Sequence, residues 1–224
     1  MRYPLTPHEG HLLITVDGRR YLLDTGSPWS LGCGAVHLAG REFALQATDL
    51  EGQSWGSVAE LVGTPLDGLI GMDILVEFDL EIAMQALSFT VSPTLLNLSG
   101  GLPLQSLQGV PLLECEIAGR PANLVLDTGA PLSYVGDEYT VGASALGEVA
   151  DFHPRVGRFR VPTFSVPVRV GTCAMTLRAG SLPTLLQSAL ELAGADGILG
   201  TEALAHGVVR LSSRQGLLRL EGHA

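Results

Sequence analysis

Lysine is missing altogether. All 13 basic residues are arginine, 23 residues are acidic, and the 224-residue chain carries a net charge of −10. That balance argues against nucleic acid and anionic membrane surfaces as partners, since both recruit clustered positive charge; the arginine-only usage itself reads as a coding bias. Charged residues (16%) and aromatic ones (5%) are few beside 46% apolar residues, which fits a compact, β-rich fold. Cysteine is scarce as well. Cys33, Cys115 and Cys173 are odd in number and widely spaced, a pattern that matches no metal-ligand spacing and fits a reducing compartment. No apolar run approaches the length of a membrane-spanning helix, and Met1-Arg2-Tyr3-Pro4-Leu5-Thr6-Pro7 lacks the apolar stretch of a secretory signal. Only about ten residues precede the expected first strand, so no additional N-terminal segment is expected. A glycine-rich phosphate loop is absent, so nucleotide-dependent chemistry has no support. The expectation is a cytoplasmic chain, away from membranes, using neither cofactor nor metal.

What is present is a repeat. Asp24-Thr25-Gly26 follows Tyr21-Leu22-Leu23 and precedes Ser27-Pro28, while Asp127-Thr128-Gly129 follows Leu124-Val125-Leu126 and precedes Ala130-Pro131. Upstream, His11 to Val16 and Arg19 to Leu23 flank Asp17-Gly18, a two-residue hairpin signal. Val110 to Ile117 and Pro121 to Leu126 flank Ala118-Gly119-Arg120 in the same manner. The turn glycine precedes the aspartate by 24 − 18 = 6 residues in one copy and 127 − 119 = 8 in the other. Downstream stand Asp67-Gly68-Leu69-Ile70-Gly71-Met72 and Asp196-Gly197-Ile198-Leu199-Gly200-Thr201. Each copy then runs into a pair of strands, Phe78 to Ile82 with Ala86 to Val91, and Val208 to Leu211 with Gly216 to Leu220. A single Asp-Thr-Gly is also what an ordinary turn at a strand end looks like; two copies with matched glycines downstream make a tandem duplication. The expected organisation is a first lobe over 1–91, a linker over 92–109 and a second lobe over 110–224. Helices are expected to be few: one over Pro183 to Ala193, stopped by Gly194, and short ones after Gly71 and Gly200.

These motifs resemble the pepsin/retropepsin superfamily of aspartic proteases, and the stretches after Gly68 and Asp196 resemble its retropepsin-like branch more than pepsin. The resemblance covers nearly the whole chain, twice. It implies an all-β, bilobal fold with pseudo-twofold symmetry and few short helices. It also implies an aspartic-type endopeptidase that acts on a peptide or protein substrate, with Asp24 and Asp127 as the catalytic pair. Retropepsins assemble this site from two identical chains; here one chain carries both halves, so a monomer is expected. By the same resemblance, the hydroxyls of Thr25 and Thr128 hydrogen-bond across the lobes, and Gly26, Ser27, Gly129 and Ala130 complete the supporting loops.

The chemistry accounts for the pair. Two carboxylates a few ångströms apart cannot both ionise cheaply, so they share a proton and titrate as a unit. The ionised member takes a proton from water while the protonated one hydrogen-bonds the substrate carbonyl. A Ser27 hydroxyl that reached the Asp24 carboxylate would lower its pKa, making Asp24 the base and Asp127 the proton carrier; Ala130 offers Asp127 no such group. The alternative from another class is a peptide-binding or regulatory protein on the same fold with little turnover.

The two copies differ most in the middle. Asp24 to Gly71 spans 71 − 24 = 47 residues and Asp127 to Gly200 spans 200 − 127 = 73. The deficit falls where the resembled family builds the hairpin that closes over substrate. The cover is therefore expected on the second lobe, over Glu148 to Val166, turning at His153-Pro154-Arg155-Val156-Gly157. Phe152 and Phe159 supply its apolar surface, and Phe152, Arg155, Val156, Gly157 and Phe159 are the candidate substrate contacts. The first lobe offers only the short stretch Leu50-Glu51-Gly52-Gln53. Trp29, close to the first carboxylate, is a further candidate contact, with packing behind the site as its other reading. Cys33, nine residues after Asp24, reads as a small buried hydrophobe, with a reactive free thiol as its other reading.

Overall fold

Each aspartate loop is carried by a strand that reads as an unbroken apolar run, Tyr21-Leu22-Leu23 or Leu124-Val125-Leu126. An unbroken run is what a strand covered on both faces requires. The computed structural model, which describes residues 1–49 and 52–222, buries all six of these residues. Leu50 and Glu51, half of the short first-lobe stretch, lie outside the described residues. The two carrier strands, Arg19–Leu23 and Arg120–Leu126, return from the expected hairpins, with Val16 opposite Arg19 and Ile117 opposite Arg120. On its other side each pairs in parallel with the strand that leads to the downstream glycine: Leu22 with Leu69 and Val125 with Ile198. This pairing brings sequence motifs about 50 to 70 residues apart into one layer beneath the aspartates.

Six antiparallel strands hold the halves together. Their order is Arg2–His8, Ser88–Ser92, Asp79–Ala83, Gly207–Ser212, Leu217–Gly222 and Leu102–Leu107. The first three come from the first repeat and the last three from the second, in mirrored sequence order, so the pseudo-twofold runs between Asp79–Ala83 and Gly207–Ser212. Leu80 faces Leu211 and Ala83 faces Val208 across that seam. The segment 92–109, expected to be a linker, is not connector throughout: Leu102–Leu107 is the counterpart of Arg2–His8, and the second repeat begins there. One apolar core runs through both lobes, from Leu12, Phe78 and Phe89 to Leu124, Leu199 and Leu211. Removing either fully buried phenylalanine side chain costs about 3–5 kcal/mol.

Among the described residues, three short α-helices complete the fold. α1 (Trp55–Val62) begins at Ser54, whose hydroxyl accepts the Ser57 N–H, and ends at Gly63 in the left-handed conformation. It presses Val58 and Val62 onto Leu13, Leu22, Leu31 and Leu69. α2 (Met72–Leu75) follows Gly71, and a 3₁₀ helix (Thr201–His206) follows Gly200, as expected. α3 (Thr184–Leu192) lies within the expected Pro183 to Ala193. α1 was not expected. It is the first lobe's counterpart of α3, since each leads into the strand before the downstream glycine.

Candidate active site

The two Asp-Thr-Gly loops meet on the pseudo-twofold. The Thr25 hydroxyl donates to the Leu126 carbonyl at 2.7 Å and accepts the Thr128 N–H at 3.1 Å. Reciprocally, the Thr128 hydroxyl donates to the Leu23 carbonyl at 2.7 Å and accepts the Thr25 N–H at 2.9 Å. Both threonines are fully buried. Four hydrogen bonds between groups that do not titrate in the working range thus fix one loop against the other. Gly26 and Gly129 are needed because each faces the opposite carboxylate. A Cβ on Gly129 would lie 2.6 Å from the Asp24 carboxyl carbon, and one on Gly26 would lie closer still to that of Asp127. Gly71 and Gly200 serve the layer behind: a Cβ on either would lie 2.5 Å from the carbonyl oxygen of Trp29 or Leu132.

Each carboxylate receives the same two backbone donors. Gly26 and Ser27 N–H groups reach Asp24 Oδ1 at 3.0 and 2.9 Å, and Gly129 and Ala130 N–H groups reach Asp127 Oδ1 at 2.8 and 3.2 Å. The Ser27 hydroxyl does not touch Asp24. It donates to the Trp29 carbonyl at 2.7 Å and accepts the Trp29 N–H at 3.3 Å, the local bonding that short hydroxyl side chains favour in turns. The Ser27/Ala130 difference therefore does not separate the two acids. Burial and the facing charge of Asp127 hold the Asp24 carboxyl well above the usual carboxylate range. Burial lifts Asp127 too, against its two N–H donors. The pair titrates as a unit, and the order expected from Ser27, with Asp24 as base and Asp127 as proton carrier, loses its basis because that hydroxyl is turned to Trp29.

A cleft of about 360 Å³ opens above the pair. The second lobe covers it with a hairpin of strands Ser144–His153 and Gly157–Val170, turning where the sequence placed it. Phe152, Arg155 and Phe159 line the cleft, together with Asp151, His153 and Pro154. Val156 and Gly157 are not among the described lining residues: Val156 points outward at the tip, and Gly157 opens the returning strand at φ 81°. Trp29 is not in the lining either; it packs with Trp55 on the apolar cluster under α1. The hairpin docks on the first lobe through Phe152, which joins that cluster, and through Arg158 Nη2, which donates to the Leu61 carbonyl at 3.4 Å. Arg160 pairs with Glu148 at the surface. Cys33, expected buried, is exposed.

Sequence reasoning missed several residues of this site. Tyr134 lines the cleft and donates its hydroxyl to Asp151 Oδ2, tying the hairpin to the wall. It stands seven residues after Asp127, where the first copy has Leu31 seven after Asp24, so comparing the copies position by position finds it. α1 and α3 supply opposing apolar walls, with Val58 on one side and Leu186 and Leu190 on the other. His11 is 3% exposed, with Nδ1 2.9 Å from the Gly129 carbonyl oxygen.

No protein-family sequence model matches the chain, and no curated protein sequence matches it. Its backbone matches that of the aspartic proteinase from Irpex lacteus, with a TM-score of 0.55 over 100% of this chain and 97% of that one, at 13% sequence identity. At that identity the likeness establishes architecture alone. The chain has an all-β, two-lobed, pepsin-like fold with few short helices.

Proposed function

We propose that the chain is an aspartic-type endopeptidase whose site lies within a single protomer. The observation that carries this reading is the pairing of Asp24 and Asp127: one chain presents both carboxylates, locked by the threonine bonds, at the floor of a covered cleft. One of the two aspartates holds the shared proton and donates it in a hydrogen bond to the carbonyl oxygen of the scissile peptide. The other, ionised, takes a proton from the attacking water as the water oxygen bonds to the carbonyl carbon. The tetrahedral intermediate collapses with cleavage of the C–N bond, and the departing amine receives a proton from the pair. Burial and the facing carboxylate strengthen the pair's hold on its shared proton, so the basic limb of the rate profile lies above the usual carboxylate range.

One observation favours the second reading, a peptide-binding protein with little turnover: the hairpin is already docked on the first lobe. Incubation with a diverse peptide library from acidic to neutral pH tests both. Cleavage by the wild type and none by Asp24→Asn supports the endopeptidase. Retention of peptides without cleavage at every pH supports the binding protein.

A further inference from the structure

His11 stands at the first turn of the first repeat, directly after Glu9-Gly10, and pairs with His8 across it. Val110 holds the same position in the second repeat, opposite Leu107. The fold therefore runs on a valine here, and the histidine has another reason to be present. Its Nδ1 lies 2.9 Å from the Gly129 carbonyl oxygen, and its ring sits 5.5 Å from the ring of Phe152 on the covering hairpin. A carbonyl oxygen only accepts, so Nδ1 carries the hydrogen. Burial favours the neutral ring; the titratable groups facing it are Asp151 on the hairpin and His8 and Glu9 beside it.

The Gly129 carbonyl and the Ala130 N–H belong to one planar peptide unit. That N–H is one of the two donors to Asp127 Oδ1. A bond that fixes the carbonyl therefore fixes the aim of the N–H. Val110 has no donor with which to treat the Asp24 loop in the same way. We propose that His11 is a positioning residue that couples closure of the covering hairpin, felt through Phe152, to the setting of the Asp127 loop, held through the Gly129–Ala130 peptide. The kinetic part of this inference rests on the endopeptidase reading; the structural part does not.

Two conservative variants separate the contacts. His11→Phe keeps a ring beneath Phe152 and loses the donor; His11→Asn keeps an N–H near the Nδ1 position and loses the ring. His11→Phe should lower kcat on the order of tenfold, as loss of a buried hydrogen bond does, and move the acidic limb of the rate profile upward, with KM little changed. His11→Asn should keep kcat and the limb while raising KM. Backbone amide exchange gives a readout that needs no turnover. Phe152→Leu should speed exchange at the Ala130 amide several-fold in the wild-type background and leave it unchanged in His11→Asn. Unaltered Ala130 exchange in Phe152→Leu overturns the coupling, as does a His11→Phe enzyme with normal kcat and limb. Coupled exchange in a chain that cleaves no peptide would remove the endopeptidase reading and leave the coupling standing.

Discussion

At the residue scale, the two aspartates act on activity and stability in opposite directions. Asp24→Asn and Asp127→Asn should each lower the peptide-cleavage rate on the order of a thousandfold or more, since each removes an essential acid–base group. The same variants should be as stable as the wild type or more so at neutral pH. A carboxyl whose folded pKa is raised binds more protons folded than unfolded, so its stabilisation is full below the unfolded value and is lost as pH rises through the folded one. Asparagine removes that loss, and thermal unfolding at pH 7 measures it. Ser27→Ala should leave both limbs of the rate profile in place, because the hydroxyl serves Trp29 and the N–H that serves Asp24 is retained; a shifted acidic limb would contradict this geometry. Residue identity made the dyad legible in the sequence, because Asp-Thr-Gly and its repeat name the atoms that must meet. The direction of the Ser27 hydroxyl was not legible. Two acceptors lay within reach, and the local turn decided between them.

At the element scale, the covering hairpin was legible because a 26-residue difference between the repeats (73 − 47) had to be placed somewhere, and Phe152 to Phe159 reads as strand, turn and strand. On the endopeptidase reading, replacing residues 153–157 with a two-residue turn should cut kcat/KM strongly and lower kcat as well as binding, because a hairpin closed over the cleft would both exclude water and position the peptide. A variant with unimpaired kcat/KM would show that the cleft works open. α1 escaped notice for a physical reason. Eight residues with Gly56 inside make a helix that is marginal alone, and its stability comes from seating Val58 and Val62 on Leu22, Leu31 and Leu69. Its caps, Ser54 and Gly63, were readable and are weak without that context. Strand Leu102–Leu107 was hidden in the same way. Its partners include Leu217 and Leu218 at the far end of the chain, and Pro103 and nearby glycines mark the segment as connector until those partners are known.

At the scale of the whole molecule, the seam between the lobes carries its own charge. Asp79 is fully buried there and receives hydrogen bonds from Ser212, Arg214, Gln215 and the Leu96 N–H. Burial opposes its ionisation, yet these donors hold its carboxyl below the usual range. The sign is opposite to that of the dyad: the stabilisation is full above the unfolded pKa of about 3.9 and is lost as pH falls through the folded value. Wild-type stability should therefore drop steeply only below about pH 4, and Asp79→Asn should flatten that drop. Asp79→Ala should cost about 3–5 kcal/mol at neutral pH, as losing one partner of a buried pair does, measured by denaturant unfolding. Because both aspartate loops and both sides of the seam belong to one chain, specific activity should stay constant on dilution through the nanomolar range; a steep fall would reveal an obligatory oligomer. The covering hairpin has one more effect. A twofold site with two equal covers would treat a peptide and its reversed backbone direction alike. With a long covering hairpin on the second lobe alone among the described residues, the two ends of a bound chain would meet different walls; on the endopeptidase reading the cleft should give the substrate a heading, and the side of the cut bond under Phe152 and Phe159 should be read more strictly than the side against α1.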